Sequence, residues 1–163
     1  MVEMELLGVR VDPAANAPLI LLQERAGQRR LLPIYIGGPE AAAIDYALRG
    51  VVPPRPLTHD LLVNVLTQLD AELTQVVVTD IQEHTFYAEL VLKRGESVER
   101  ISSRPSDAVA LAVRTGTPIL ADEDVLEAAG QVPEEQPNES DAEELVDEFR
   151  AFIENISPDD FAS

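Results

Sequence analysis

Phe86-Tyr87-Ala88-Glu89-Leu90-Val91-Leu92-Lys93, followed shortly by Pro105-Ser106-Asp107-Ala108-Val109-Ala110-Leu111-Ala112, decides how this chain is read. In the first stretch Phe86, Ala88, Leu90 and Leu92 alternate with Tyr87, Glu89, Val91 and Lys93, the period of a half-buried strand. In the second, a proline precedes Ala108, Leu111 and Ala112 at helical spacing, and Gly116 closes the helix. Residues 74–82 form the other arm of a hairpin that turns at Glu83-His84. Arg94-Gly95-Glu96 then turns into an extended stretch over residues 97–103.

Working outward, the same plan recurs upstream. Residues 2–11 alternate as a strand whose phase slips at Leu6-Leu7 beside Gly8, which predicts a bulge. Asp12-Pro13-Ala14-Ala15-Asn16 is turn material. Residues 18–24 and 29–36 make a hairpin through Ala26-Gly27-Gln28. After Gly37-Gly38, Pro39 opens a helix carrying Ala41, Ile44 and Leu48, which Gly50 stops. Pro39, Ala42 and Gly50 match Pro105, Ala108 and Gly116 at one constant offset of 66 residues. Duplication and chance recurrence of common residues both account for that match.

Between the halves runs a connector over residues 51–57 with Pro53, Pro54 and Pro56. Thr58 follows as the N-cap of a helix whose apolar stripe is Leu62, Val65, Leu66 and Leu69. A short strand at 118–121 and a short helix at 122–129 complete one α+β domain over residues 1–130. Its sheet is largely antiparallel, with helices packed on it and two hairpin-then-helix halves. Residues 131–140 have linker composition. Residues 141–163 read as an acidic amphipathic helix and a short tail: Ser140 and Glu143 make a capping box, and Ala142, Leu145, Val146, Phe149, Phe152, Ile153 and Ile156 trace one stripe.

The composition excludes several classes. The chain of 163 residues has no cysteine, so disulfides, thiol chemistry and Cys-based zinc sites are out. No apolar run approaches the roughly 18 residues of a spanning helix, and the acids at Glu3 and Glu5 stand where a signal peptide carries bases. A cytoplasmic location without a membrane partner is expected. Of the net charge of −18, residues 1–130 carry −8 (nineteen acids, eleven bases) and residues 131–163 carry −10. The domain is therefore only moderately acidic, which disfavours polyanion binding without forbidding it.

Three helix starts hold the candidate chemistry. Gly37-Gly38-Pro39-Glu40 offers free backbone N–H groups to an anion, or is a plain strand-to-helix turn. In Thr58-His59-Asp60, either His59 is a general acid/base oriented by Asp60, or both bind a metal, or Thr58 caps, Asp60 faces the helix dipole and His59 is solvated. In Ser103-Arg104-Pro105-Ser106-Asp107, either Arg104 grips a phosphate while Asp107 binds a metal or acts as base, or these residues cap and pair. His84 sits in a hairpin turn with no role assigned. If the fold gathers the acids Glu40, Asp60 and Asp107, hydrolysis assisted by one or two metals becomes feasible.

These segments also carry a likeness. Residues 32–41 (Leu32-Pro33-Ile34-Tyr35-Ile36-Gly37-Gly38-Pro39-Glu40-Ala41), 55–62 (Arg55-Pro56-Leu57-Thr58-His59-Asp60-Leu61-Leu62), 85–88 and 103–110 resemble the bifunctional nuclease family, over essentially the whole chain. The likeness extends to actinobacterial members, whose acidic tails end as Ser157-Pro158-Asp159-Asp160-Phe161 does here. Glu83-His84-Thr85 departs from the family, in which a glycine commonly precedes the threonine.

The resemblance implies a nuclease acting on RNA or DNA. In that role His59, Asp60 and Asp107 would be catalytic, and Arg55 and Arg104 would bind substrate. Glu40, Asp60 and Asp107 would hold Mg²⁺ or Mn²⁺. It also implies self-association, with a dimer preferred. The alternative is a non-catalytic homo-oligomeric binding or regulatory module whose motif residues cap helices and form contacts. Net acidity, the lack of a basic stripe and few aromatic residues favour that alternative. A third reading makes the tail a mimic of nucleic acid.

Overall fold

In the computed structural model, which describes residues 1–133 together with Asp147 and Ala151, seven strands form one sheet. In chain order the elements are β1 (Val2–Asp12), β2 (Ala17–Glu24), β3 (Leu31–Tyr35), α1 (Gly38–Leu48) and α2 (Thr58–Gln68), then β4 (Glu72–Gln82), β5 (Thr85–Arg94) and β6 (Ser97–Ser103), and last α3 (Pro105–Thr115), β7 (Ile119–Ala121) and α4 (Glu123–Ala129). The α+β class read from the sequence is what forms. Met1–Val132 is one compact unit, and Gln131 still pairs with Leu31 by backbone hydrogen bonds at its end. The helix expected over residues 141–163 lies outside the described residues, apart from Asp147 and Ala151, whose backbone is helical.

The strand order is β3-β2-β1-β7-β4-β5-β6. Each half is a three-stranded antiparallel meander, β1-β2-β3 and β4-β5-β6, followed in sequence by a helix. The three-residue β7 joins them, antiparallel to β1 and parallel to β4; Ile119 lies between Met4 and Val76, and Ala121 between Val2 and Val78. The bulge expected near Gly8 is present as a register shift between Leu6 and Gly8. Gly50 and Gly116, 66 residues apart, follow α1 and α3 with φ of 67° and 66°, a left-handed conformation that costs glycine little.

One apolar cluster binds the helices to the sheet. Ile20, Leu22, Ile34, Val76, Val78, Ala88 and Leu90 meet Ile44 of α1, Ala108 to Ala112 of α3, and Val125 and Leu126 of α4. Each large side chain fully buried in this way contributes about 1.5–3 kcal/mol relative to exposure. Ala41, Ala43, Ala108, Ala110 and Ala112 are buried, and such small side chains let α1 and α3 approach each other closely.

One sequence expectation fails at α2. Of the apolar stripe Leu62, Val65, Leu66 and Leu69, only Leu66 packs on the core; the other three are exposed, as are Leu57 and Leu61. The inward face is instead His59, which is buried, with Val63 and Leu66 packed on the core. Apolar periodicity identifies a helix face without saying what meets it, and on α2 the face turned to the protein includes a histidine. Thr58 is not the N-cap either: Leu57 occupies that position, and its N–H donates to Asp60 Oδ2 at 3.0 Å.

Candidate functional site: an ion-paired cleft at three helix starts

The contact between α1 and α3 brings their N-terminal ends together, and α2 packs against α3 beside them. Arg104, the N-cap residue of α3, reaches across from there. Its Nε donates to Asp107 Oδ2 at 2.8 Å, and its Nη2 donates to Glu40 Oε1 at 3.0 Å and to Asp107 Oδ1 at 3.2 Å. His59 Nε2 lies 2.8 Å from Asp107 Oδ1. Glu40, Arg104, Asp107 and His59 thus form one continuous chain, drawn from the first turns of α1, α3 and α2.

Asp60 belongs to a second group. Arg114, in the last turn of α3, donates from Nε to Asp60 Oδ1 at 2.7 Å, from Nη2 to the Ala43 carbonyl at 3.0 Å and from Nη1 to the Ala110 carbonyl at 2.8 Å. Arg114 therefore ties α1, α2 and α3 together through one guanidinium, with its side chain only 10% exposed.

A cleft of about 620 Å³ opens along this surface. Glu40, His59, Arg104 and Asp107 line it together with Ala43, Tyr46, Leu57 and Leu61; neither Asp60 nor Arg55 does. Arg55 is exposed in the connector before α2. The residues expected to work together therefore divide. Glu40, His59, Arg104 and Asp107 converge, Asp60 is held away by Arg114, and Arg55 stands apart.

The electrostatics follow from the pairing. Burial pushes the Asp107 carboxyl up, but the Arg104 guanidinium and the His59 ring outweigh it and hold Asp107 below the usual carboxylate range. Hydrogen bonding from Arg114 holds Asp60 low against its own burial. Asp107 and Glu40 raise Arg104 further above its ordinary value. With Asp107 ionised, its Oδ1 is the acceptor in the contact with His59 Nε2, and Nδ1 is the ring nitrogen outside that contact.

This corrects the sequence reading of His59. Its orienting acid is Asp107, 48 residues downstream, rather than its neighbour Asp60, and the ring is buried rather than solvated. Neither α1 nor α3 has a side-chain cap at its N-terminus, so Asp107 is there for Arg104 and His59 and does not cap the helix. The carboxylates do not form a divalent metal site as they stand. Among the described residues no group of three His, Cys, Asp or Glu is disposed to hold an ion. The Arg104 guanidinium stands between Glu40 and Asp107, where a bridging cation would sit.

Arg114 is the residue that sequence reasoning missed. An arginine in the last turn of a helix is common enough to explain by the dipole alone. Its partners on α2 and α1 lie 54 and 71 residues away, beyond the reach of any local signal.

Residues 20–134 match the model of the bifunctional nuclease domain. An uncharacterized protein of Mycobacterium tuberculosis is 45% identical over 99% of this chain and 98% of its own length. Bifunctional nuclease 2 of Oryza sativa subsp. japonica and bifunctional nuclease 1 of Arabidopsis thaliana are each 30% identical over 69% of this chain. The aligned part is only 35% of each plant protein. Among the described residues no helix is long and apolar enough to cross a membrane.

Proposed function

The chain belongs to the bifunctional nuclease domain family, and from that premise we propose that it cleaves phosphodiester bonds of RNA or DNA in the cleft where His59, Asp107 and Arg104 meet. The observation that carries this reading is the hydrogen-bonded series Glu40–Arg104–Asp107–His59 along an open cleft. Asp107 holds the His59 ring so that Nδ1 can take the proton of an attacking hydroxyl or water. As the new P–O bond forms and the ester P–O bond breaks, negative charge builds on the phosphoryl oxygens. Arg104, whose side chain is 64% exposed, is placed to offset that charge. The departing alkoxide recovers a proton from the histidine or from water. No step is routed through a metal, because the acids are already committed to Arg104.

The test is cleavage of a single-stranded RNA and a single-stranded DNA by the purified chain. His59→Ala and Asp107→Asn should each lower the rate by about 10²-fold or more, as loss of a general base or its orienting acid does. Wild-type protein without cleavage on either substrate would overturn the proposal.

A second reading has its own observation. Leu57, Leu61, Leu62, Val65 and Leu69 are exposed along α2 at helical spacing, and Leu62, Val65 and Leu69 fall at the i, i+3, i+7 positions of a helix–helix seam. The same stripe on a second copy would satisfy that seam symmetrically, giving a homodimer in which the ion-paired motif serves as architecture. Leu62→Asp should then convert a dimer to a monomer in light scattering. A wild-type chain that is monomeric at all concentrations would sink this reading.

A further inference from the structure

A second pocket, of about 390 Å³, opens on the other side of Arg104 and shares that residue alone with the His59 cleft. Tyr35, Gly37, His84, Phe86, Arg104 and Ser106 are among the residues that line it, and none of its lining residues is acidic.

Two helices of 11 residues begin at its rim, α1 after Gly37 and α3 after Arg104, and neither has a side-chain cap. The first amides tied back to the backbone are Ala41, to the Gly37 carbonyl, and Ala108, to the Arg104 carbonyl. The earlier N–H groups, on Gly38 and Glu40 and on Ser106 and Asp107, have no acceptor among the described residues. Uncapped N–H groups and the positive end of the dipole favour an anion.

An independent observation comes from Ser106. The residue is 5% exposed, it lines the pocket, and its hydroxyl has no hydrogen-bond partner among the described residues. Such a hydroxyl is free to exchange a hydrogen bond with a ligand oxygen or with water at the pocket wall. Arg104 adds a third donor: its Nε and Nη2 serve Asp107 and Glu40, and Nη1 has no partner among the described residues. The ring of His84, held at the lip by a turn with φ of 66°, is a fourth. The acids near its walls are engaged: Glu40 and Asp107 pair with Arg104, and Asp12 accepts from the Tyr35 hydroxyl.

We infer that this pocket is a binding site for a phosphate group, held by Ser106 Oγ, Arg104 Nη1, His84 and the free amides of α1 and α3. A pocket whose lining includes donors of different kinds and no acid suits an anion with several oxygens. The volume leaves room beside Phe86 for the group that carries the phosphate. Phosphate binding here does not require the neighbouring cleft to cut anything, so the inference stands apart from the proposed activity.

The experiment is a titration of the ¹⁵N-labelled full chain with inorganic phosphate at constant ionic strength, repeated with a dinucleotide bearing or lacking a 5′-phosphate. Saturable shifts should centre on the amides of Gly37, Gly38, Ser106 and Asp107. Ser106→Ala should weaken binding about fivefold, as expected for one lost hydrogen bond of ~1 kcal/mol. His84→Gly removes the ring while relieving its left-handed conformation, so it should weaken binding in a protein that remains folded. Tighter binding of the 5′-phosphorylated dinucleotide than of inorganic phosphate would identify the ligand as a nucleic-acid end; equal binding would identify free phosphate. Shifts that never saturate, that centre elsewhere, or that persist unchanged in both variants would overturn the inference. His59→Ala should still bind phosphate, which separates this result from any failure of cleavage.

Discussion

Replacing Arg114 with alanine tests the claim that one guanidinium holds α2, and with it His59, in place. Removal of one partner from a buried ion pair costs about 3–5 kcal/mol, because the other charge is left without compensation. Asp60 is 28% exposed and keeps the Leu57 N–H, so the lower end of that range applies. The Ala43 carbonyl also loses its donor, and water reaching the vacated space offsets part of that loss. The expected total is about 3 kcal/mol. For a folded unit of this size each kcal/mol lowers Tm by about 4 °C, so a drop on the order of 10 °C should appear. Urea unfolding of Arg114→Ala, Asp60→Asn and the double variant would give the coupling energy directly. Coupling of at least ~1.5 kcal/mol is expected. Because α2 packs inward only through His59, Val63 and Leu66, loss of the tether should also broaden the His59 ring resonances. A loss below about 1 kcal/mol with coupling near zero would refute the reasoning and leave α2 held by apolar packing alone.

Four further outcomes follow from the same geometry. Asp60 and Asp107 have lowered pKa values, so their pairing stabilises the fold at neutral pH. That contribution is present above their unfolded value near ~4 and is lost as pH falls through the folded values. The stability gap between wild type and Arg114→Ala should therefore shrink between about pH 5 and pH 2, and a gap that widens in acid would contradict the assignment. Cleavage should survive removal of divalent ions by a chelator, since Arg104 fills the space between the acids; abolition by the chelator and rescue by Mn²⁺ would show that Arg104 gives way to a metal. At the hairpin tip Glu83 and His84 have φ of 48° and 66°, so Glu83→Asn should stabilise the fold by about 0.5–1 kcal/mol in thermal unfolding. Arg104→Ala should reduce cleavage and phosphate binding together, while Arg55→Ala leaves phosphate binding unchanged, as measured in the same titration.

The strands and helices were legible because their signals are local. Phe86 to Lys93 alternate in period two, Pro39 and Pro105 open helices, and Gly50 and Gly116 stop them at positive φ. Each of those signals acts within a turn or two of backbone, and each survived into the structure. The stripe on α2 misled for a related reason: spacing showed that Leu62, Val65 and Leu69 share a face, and only packing showed that this face meets no part of the described protein.

The sequence by itself determined the element order, the hairpin-and-helix plan of each half, and the polar residues that stand at the helix starts. It did not determine which of those residues meet. Ion pairs between Arg104 and Glu40, between His59 and Asp107, and between Arg114 and Asp60 span 64, 48 and 54 residues. They depend on two helices rich in small residues packing against each other, and on a three-residue strand joining two meanders into one sheet. Local periodicity encodes conformation, whereas a charge finds its partner through the closure of distant chain. Tertiary structure alone therefore gave His59 to Asp107, took Asp60 out of the cleft, and set Ser106 in the wall of a second pocket.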